Sequence, residues 1–263
     1  MSIMRRPRYE GPLLNVSDVN LSFGGVSALR GVNFDVQAGE LFAIIGPNGA
    51  GKTSIFNCLS GVYRPQQGTI RFEGEELVGR RPPAIAQMGM ARTFQNLGLF
   101  VNLDVIDNLM LGRHLQMRTG FVSGAAWLGR ARREEVSNRR RVEEIVQLLE
   151  LGPFRRAPVG SLPYGVQKRV ELGRALAMEP RLLLLDEPVA GMNLEETEDM
   201  ARAILGVQAA GVAMILVEHD MHMVMDVADR VMVLDFGSPI ATGSPADVQS
   251  NPHVIEAYLG SPS

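Results

Sequence analysis

The sequence predicts an α/β fold: a buried, largely parallel sheet, with an antiparallel β subdomain ahead of it and a helical subdomain inserted within it. Three observations carry this. Leu41–Ile45 and residues 181–186 and 212–217 are short apolar runs, the pattern of strands buried on both faces. A glycine-rich loop, 46–53, joins the first run to a helix-forming stretch. Two acids, Asp186 and Glu187, stand at the C-terminal end of the second run.

The 263 residues suffice for one large α/β domain, or a main domain with a small subdomain. A net charge of −3 gives no global sign of nucleic-acid binding. The single cysteine, Cys58, excludes an internal disulfide and a thiolate zinc cluster, and makes a reducing cytoplasm the default compartment. Residues 1–12 are basic and polar, without the apolar region of a secretory signal, and read as a frayed tail. No apolar run approaches the length of a membrane span, so the chain is not expected to cross a bilayer itself.

In chain order, residues 13–23 and 32–36 near-alternate in hydropathy and read as antiparallel strands, with a turn at Gly24-Gly25. After a turn at 38–40 comes the buried strand Leu41–Ile45, then a helix over Lys52–Leu59 closed by Gly61. A short strand (69–72) and a short proline-started helix (82–88) follow. From 104 to 151 the chain reads mostly helical, interrupted by a softer stretch at 119–129. These features divide it into a core, 13–95 and 181–263, and a helical subdomain, 96–180. In the second half, strands 181–186 and 212–217 flank a helix over Leu194–Ala209, whose start shows Asn193 as N-cap and Glu196 as reciprocal partner. A short helix (221–228), a hairpin through Gly237 and a last helix over Pro252–Leu259 complete the chain.

Gly46-Pro47-Asn48-Gly49-Ala50-Gly51-Lys52-Thr53 fits G-x-x-x-x-G-K-[ST] in full. Glycines let the backbone curl so that successive N–H groups face phosphate oxygens, and the helix beginning near Lys52 adds its positive end. Lys52 supplies a point charge to the β- and γ-phosphates, and Thr53 a hydroxyl to Mg²⁺. The plainer reading is a glycine-rich turn between strand and helix. In an open α/β sheet, ligands bind beyond the carboxyl ends of the strands. Asp186 there would hold Mg²⁺ and Glu187 would polarise the attacking water as general base; the competing reading is an acidic strand end facing solvent. Together these residues imply binding of ATP–Mg²⁺ and hydrolysis of its γ-phosphate.

Three further residues are ambiguous on chemistry alone. Gln95, after Ala91-Arg92-Thr93-Phe94, can touch Mg²⁺ or the attacking water, or be a polar residue at a domain boundary. His219, beside Glu218 and Asp220, can reach a γ-phosphate oxygen, or be a solvated loop histidine. Phe23 can stack on adenine or simply pack.

Taken in order over residues 13–259, the set resembles the ATP-binding subunit of ABC transporters, whose fold is a RecA-like P-loop NTPase core with these two subdomains. The carrying residues are Phe23, the loop 46–53, Gln95, Leu162-Pro163-Tyr164-Gly165-Val166-Gln167, Asp186-Glu187-Pro188, Ala190-Gly191-Met192-Asn193 and His219. The resemblance implies nucleotide-binding roles for Phe23, the loop through Ser54, and, across a subunit interface, Pro163, Tyr164, Gly165 and Gln167. It implies catalytic roles for Lys52, Gln95, Glu187 and His219, and Mg²⁺ contacts from Thr53, Gln95 and Asp186. More narrowly, Phe23-Gly24-Gly25, residues 91–96, the Ala-Gly-Met-Asn loop and the ending Val254-Ile255-Glu256-Ala257-Tyr258-Leu259-Gly260 are similar to the branched-chain amino-acid uptake class. The implied partners are a second ATPase subunit, identical or related, a polytopic permease, and indirectly a periplasmic binding protein. The implied place is the cytoplasmic face of the inner membrane, and the implied cargo small hydrophobic or aromatic amino acids or related acids. A lipid or lipopolysaccharide exporter and a soluble non-transport ABC ATPase are the alternatives.

Leu162–Gln167 resembles the family's signature motif but departs from its usual Leu-Ser-Gly-Gly-Gln: Pro163 replaces the serine, Tyr164 the first glycine and Val166 the glutamine. Proline suits the first turn of a helix but loses the hydroxyl contact. Between 113 and 141 lie Arg113, Arg118, Arg130, Arg132, Arg133, Arg139, Arg140 and Arg141, opposed by Glu134 and Glu135. They read either as a face toward anionic headgroups or a membrane partner, or as a solvated helix.

Overall fold

A computed structural model describes residues 10–93, 98–113 and 125–259, without the side chains of 125–134 and Leu259. Strands β1 (Leu14–Phe23) and β2 (Val26–Val36) form an antiparallel hairpin. β3 (Leu41–Ile45) leads through a loop into α1 (Lys52–Leu59). β4 (Gln67–Phe72) and β5 (Glu75–Glu76) complete a four-stranded sheet of order β2-β1-β4-β5. α2 (Pro82–Gln87) and β6 (Met90–Arg92) precede the helices α3 (Val105–Gly112), α4 (Ala125–Leu148) and α5 (Tyr164–Leu176). β7 (Leu182–Asp186), α6 (Leu194–Ala209), β8 (Ala213–Val217) and α7 (Met221–Val227) follow. The hairpin of β9 (Arg230–Asp235) and β10 (Ser238–Gly243), then α8 (Pro245–Gln249) and α9 (Pro252–Leu259), end the fold.

The second sheet has order β10-β9-β3-β8-β7-β6 and is parallel except for β10. Side chains alternate across a strand, so each buried strand serves two cores. Ala43, Leu183, Leu185, Met214 and Leu216 pack toward the helices; Phe42, Ile44, Leu182, Leu184 and Ile215 pack toward α1 and the antiparallel sheet. All ten are fully excluded from solvent. At about 1.5–3 kcal/mol for each large apolar side chain buried, this double packing dominates the favourable side of folding. Among the described residues, no helix is long and apolar enough to cross a membrane.

β2 begins at Val26, six residues before the strand expected from alternation. Gly31, with φ +57°, breaks the two-residue period, yet pairing with β1 continues through Leu21↔Leu29 and Phe23↔Val26. The softer stretch also proves partly helical, since α4 starts at Ala125; Ala125, Ala126 and Leu128 are strong helix formers, and one glycine does not outweigh them. β5 and α8 were not expected: β5 is a two-residue bridge, and α8 is a single capped turn with a Ser244–Asp247 capping box.

The basic stretch is largely neutralised where it is described. Arg113 is buried and bonds to the Asn138 Oδ1 (3.0 Å), the Ala177 carbonyl (2.9 Å) and Glu179 (3.0 Å). It ties α3, α4 and the end of α5 together and is unavailable to a lipid surface. Arg139 pairs with Glu135, Arg140 with Glu144, and Arg141 with both Glu144 and Glu179. Arg118 lies outside the described residues, as do the side chains of Arg130, Arg132 and Arg133.

At the start of α6 the Glu196 N–H donates to the Asn193 Oδ1 (3.0 Å), and the Asn193 N–H donates to Glu196 (3.2 Å). Asn193→Ala leaves the first turn without its side-chain acceptor and should cost about 1 kcal/mol, measured as a lower urea midpoint with an unchanged slope.

Candidate nucleotide site

Three neighbouring strands of the parallel sheet, β3, β8 and β7, bring the loop 46–51, His219 and the Asp186–Glu187 pair to one edge. The loop after β3 has Gly49 at φ +83° and Gly51 at φ +104°, backbone that L residues rarely adopt. A Cβ on Gly46 would lie 2.2 Å from the Leu234 carbonyl oxygen, and one on Gly51 2.7 Å from that of Ala28. At Gly46 and Gly51 the loop therefore lies directly on the β9 end and on β2, with no room for a side chain. Its outside is latched by the hairpin turn: the Gly237 N–H donates to the Ala50 carbonyl (3.0 Å), and the Arg30 N–H to the Gly237 carbonyl (2.8 Å).

Lys52 is buried and folds back into the loop, donating to the carbonyls of Gly46 (2.6 Å) and Pro47 (3.0 Å). Burial holds its ammonium below the usual lysine range, and the Glu187 carboxylate opposes that shift. The two residues are thus electrostatic neighbours. Thr53 is exposed at the rim of the loop. Tyr258 on α9 reaches the same loop: the Gly46 N–H lies against its phenol oxygen, and burial pushes its pKa up to about 12.

Asp186 is buried at the end of β7 and pairs with Arg92 through Oδ2 (2.7 Å). Arg92 in turn reaches the Asn57 Oδ1 (2.8 Å) on α1 and the Ser60 Oγ (3.2 Å) at its C-cap, and lies over the Phe56 ring. The other oxygen, Oδ1, is buried with no hydrogen-bond partner among the described residues. An orphaned carboxylate oxygen beside a phosphate-type loop fits a hard cation with few protein ligands. No group of three His, Cys, Asp or Glu among the described residues forms a closed cage, which suits Mg²⁺ held mainly by phosphates and water.

Glu187 is half-buried and left-handed, at φ +48°; its N–H donates to the Val217 carbonyl (2.9 Å) across to β8. Such backbone strain in a non-glycine residue needs support from its surroundings. His219 is 62% exposed at its side chain. Phe23 is half-exposed, and its ring stands 5.0 Å from that of Tyr63 in a T-shaped arrangement. Gln95 lies outside the described residues.

The signature residues stand at the start of α5, away from this loop. Pro163 occupies the N-cap position itself (φ −53°, ψ 150°), one place before the helical turn expected for it. Proline offers no side-chain acceptor there, and Glu196 of α6 fills the role: the Gly165 N–H donates to its Oε1 (3.0 Å). Tyr164 donates its hydroxyl to the Ala190 carbonyl (3.2 Å) in the loop after Glu187. The Gln167 amide turns back onto the Leu162 carbonyl (2.8 Å).

Three residues that hold the site together were given no role from sequence, Arg92, Glu218 and Tyr258, and Glu196 was read only as the capping partner of Asn193, without its bond to Gly165. Arg92 carried a usable signal, a charge at the end of a short strand in a sheet whose neighbouring strand β7 is a run of leucines. The contacts of Glu218 with Val189, of Tyr258 with Gly46 and of Glu196 with Gly165 are distant in sequence and left no such signal.

Residues 29–190 match the ABC transporter family, and residues 238–262 match a family described as branched-chain amino acid ATP-binding cassette transporter. The chain is 40% identical over 250 residues to the high-affinity branched-chain amino acid transport ATP-binding protein BraF of Pseudomonas aeruginosa, covering 95% of this chain and 98% of that protein. It is 39% identical, with the same coverage, to LivG of Escherichia coli, a protein of the same description. A solved ATP-binding cassette of an ABC transporter in its ADP conformation superposes with a TM-score of 0.82 at 27% identity, over 95% of this chain and all of that one. A nucleotide-free cassette gives 0.81 at 28%, with the same coverage.

Gly46→Ala forces a Cβ into the Leu234 carbonyl and displaces the loop. A fluorescent ATP analogue should bind at least tenfold more weakly, while far-ultraviolet circular dichroism stays unchanged.

Proposed function

We propose, from the premise that the chain belongs to the ABC transporter family of ATP-binding proteins, that it is the energy-coupling ATPase of an importer. Its cargo would be branched-chain amino acids, or other small hydrophobic or aromatic amino acids and related acids. The observation that carries this reading is near full-length similarity to branched-chain amino acid transport ATP-binding proteins, including a match to the C-terminal segment of that class. Tyr258 of that segment lies against Gly46, so the class-specific end of the chain contacts the nucleotide loop.

In this reading the loop amides of 46–51 and Lys52 take the β- and γ-phosphates, with the Lys52 ammonium leaving the carbonyls of Gly46 and Pro47 for phosphate oxygens. Phe23 stacks on adenine, and Ser54 follows Thr53 at the phosphates. Thr53, Asp186 through its free Oδ1, and Gln95 would hold Mg²⁺, which when bound supplies positive charge to the phosphates. Glu187 orients and polarises the attacking water. His219 hydrogen-bonds the γ-phosphate, and ADP and inorganic phosphate are the products.

Pro163, Tyr164, Gly165 and Gln167 would act on the nucleotide of a second subunit, identical or related. The N-terminus of α5 is suited to an anion, and its Gly165 N–H already binds one in the Glu196 carboxylate. For a γ-phosphate to take that N–H, Glu196 has to move aside, so pairing and rearrangement of α6 are linked. ATP that binds the closed pair better than the open one shifts the equilibrium toward closure, and hydrolysis removes that preference. The other partners are a polytopic permease and, through it, a periplasmic binding protein, which puts the chain on the cytoplasmic face of the inner membrane.

Glu187→Gln should bind ATP with near-normal affinity, turn over at least a hundredfold more slowly, and elute as an ATP-dependent pair in size-exclusion chromatography; near-normal turnover would mean another base. In proteoliposomes with permease and binding protein, leucine, isoleucine and valine should stimulate ATP turnover. Stimulation by none of the hydrophobic amino acids would defeat the assignment of cargo.

A further inference from the structure

We propose that Glu218 is a positioning residue that ties the loop following Glu187 to the loop carrying His219, and so holds the two groups that flank the γ-phosphate in a fixed relation. The proposal rests on the site reading above, in which Glu187 and His219 act on that phosphate.

Glu218 stands one residue past β8 and has no solvent exposure. Its Oε1 accepts the N–H of Val189 (2.9 Å), two residues beyond Glu187, and its Oε2 accepts the N–H of His219 (3.0 Å). One carboxylate therefore spans two loops that leave adjacent parallel strands. The Val189 loop is short and internally bonded, Ala190 N–H to the Glu187 carbonyl (3.2 Å) and Met192 N–H to the Val189 carbonyl (3.1 Å), so fixing Val189 fixes Glu187. His219, in contrast, has little packing: its ring is mostly exposed, and the ionic contact recorded for it is Nδ1 to the Glu218 Oε2 at 3.6 Å.

A carboxylate is an expensive residue in this place. Among the described residues no lysine or arginine pairs with it, and burial pushes its carboxyl above the ordinary range, against the opposite pull of the Val189, His219 and Asp220 N–H groups. What the position requires is two acceptors pointing to opposite sides. Glutamine has the same shape but presents one acceptor and one donor, so it can serve only one of the two loops. Aspartate keeps both acceptors but is one methylene short of spanning them.

Glu218→Gln therefore separates the tie from the shape. Thermal unfolding should stay close to that of the unaltered chain and the Kd for ATP should change less than about threefold, because Lys52 and its loop are untouched. The kcat should fall about tenfold or more. The diagnostic is a double-variant cycle: since Glu218 acts partly through His219 and partly through the loop of Glu187, the loss caused by Glu218→Gln should be several-fold smaller in a His219→Ala background than in the unaltered chain. Multiplicative losses, or normal kcat in Glu218→Gln while His219→Ala is impaired, would overturn the role of Glu218. Unaltered turnover in His219→Ala itself would instead count against the site reading. If Glu218→Gln does not fold, Glu218→Asp takes its place in the same cycle. Hydrogen exchange on the unaltered chain is a second, variant-free test: the Val189 and His219 amides should be protected to a similar degree, and a Val189 amide exchanging like open loop would also overturn the proposal.

Discussion

The site depends on one constraint: β3, β8 and β7 are buried on both faces and lie side by side in parallel. Their side chains alternate between two cores with no exposed face, so a one-residue slip of any strand would exchange its residues between the cores. Register is thereby set, and with it the positions of the residues just past each strand. The glycine loop, Asp186 with Glu187, and Glu218 with His219 are the three strand exits. These three strands are apolar up to their exits, where the polar groups of the site stand.

Charge at this edge is arranged in buried groups, each carrying a specific compensation. Lys52 is satisfied by two loop carbonyls and sits in the field of Glu187. Asp186 is half satisfied by Arg92 and keeps one oxygen without a partner among the described residues. Glu218 is satisfied by backbone N–H groups. Buried charges paired this way add little net stability, so their value lies in geometry: a lysine that can change partners, an acid with an oxygen in reserve, and an acid that ties two loops. The signature end follows the same rule, with the Glu196 carboxylate where the cap of α5 is missing. In the proposed pair, that contact must yield to the partner's nucleotide.

Much of this was legible in sequence, for a physical reason. Leu41–Ile45, the leucine run before Asp186 and the apolar run ending at Val217 read as strands because a continuous apolar run too short for a helix and bounded by turn residues fits a doubly buried strand, and the structure has them within a residue of the expected bounds. The Asn193–Glu196 cap was readable because a capping box is local, three residues apart. Legibility failed where the deciding contact was distant. β2 extends back to Val26 because β1 pairs with it through the irregularity at Gly31, which alternation cannot register. Arg113 was grouped with surface arginines, yet its partners on α4 and after α5 place it inside. Pro163 was readable as a helix start but not as an uncapped one, since its substitute cap comes from the next helix over.

The central claim is that Gly46 to Thr53 form half of a hydrolytic site, completed by the signature residues of a second subunit. Specific ATPase activity of the chain in solution, measured over at least a hundredfold range of protein concentration, tests it most directly. The account predicts that activity per chain rises with concentration toward a plateau as pairs form. A constant, non-zero activity per chain down to concentrations at which the protein is monomeric would contradict it.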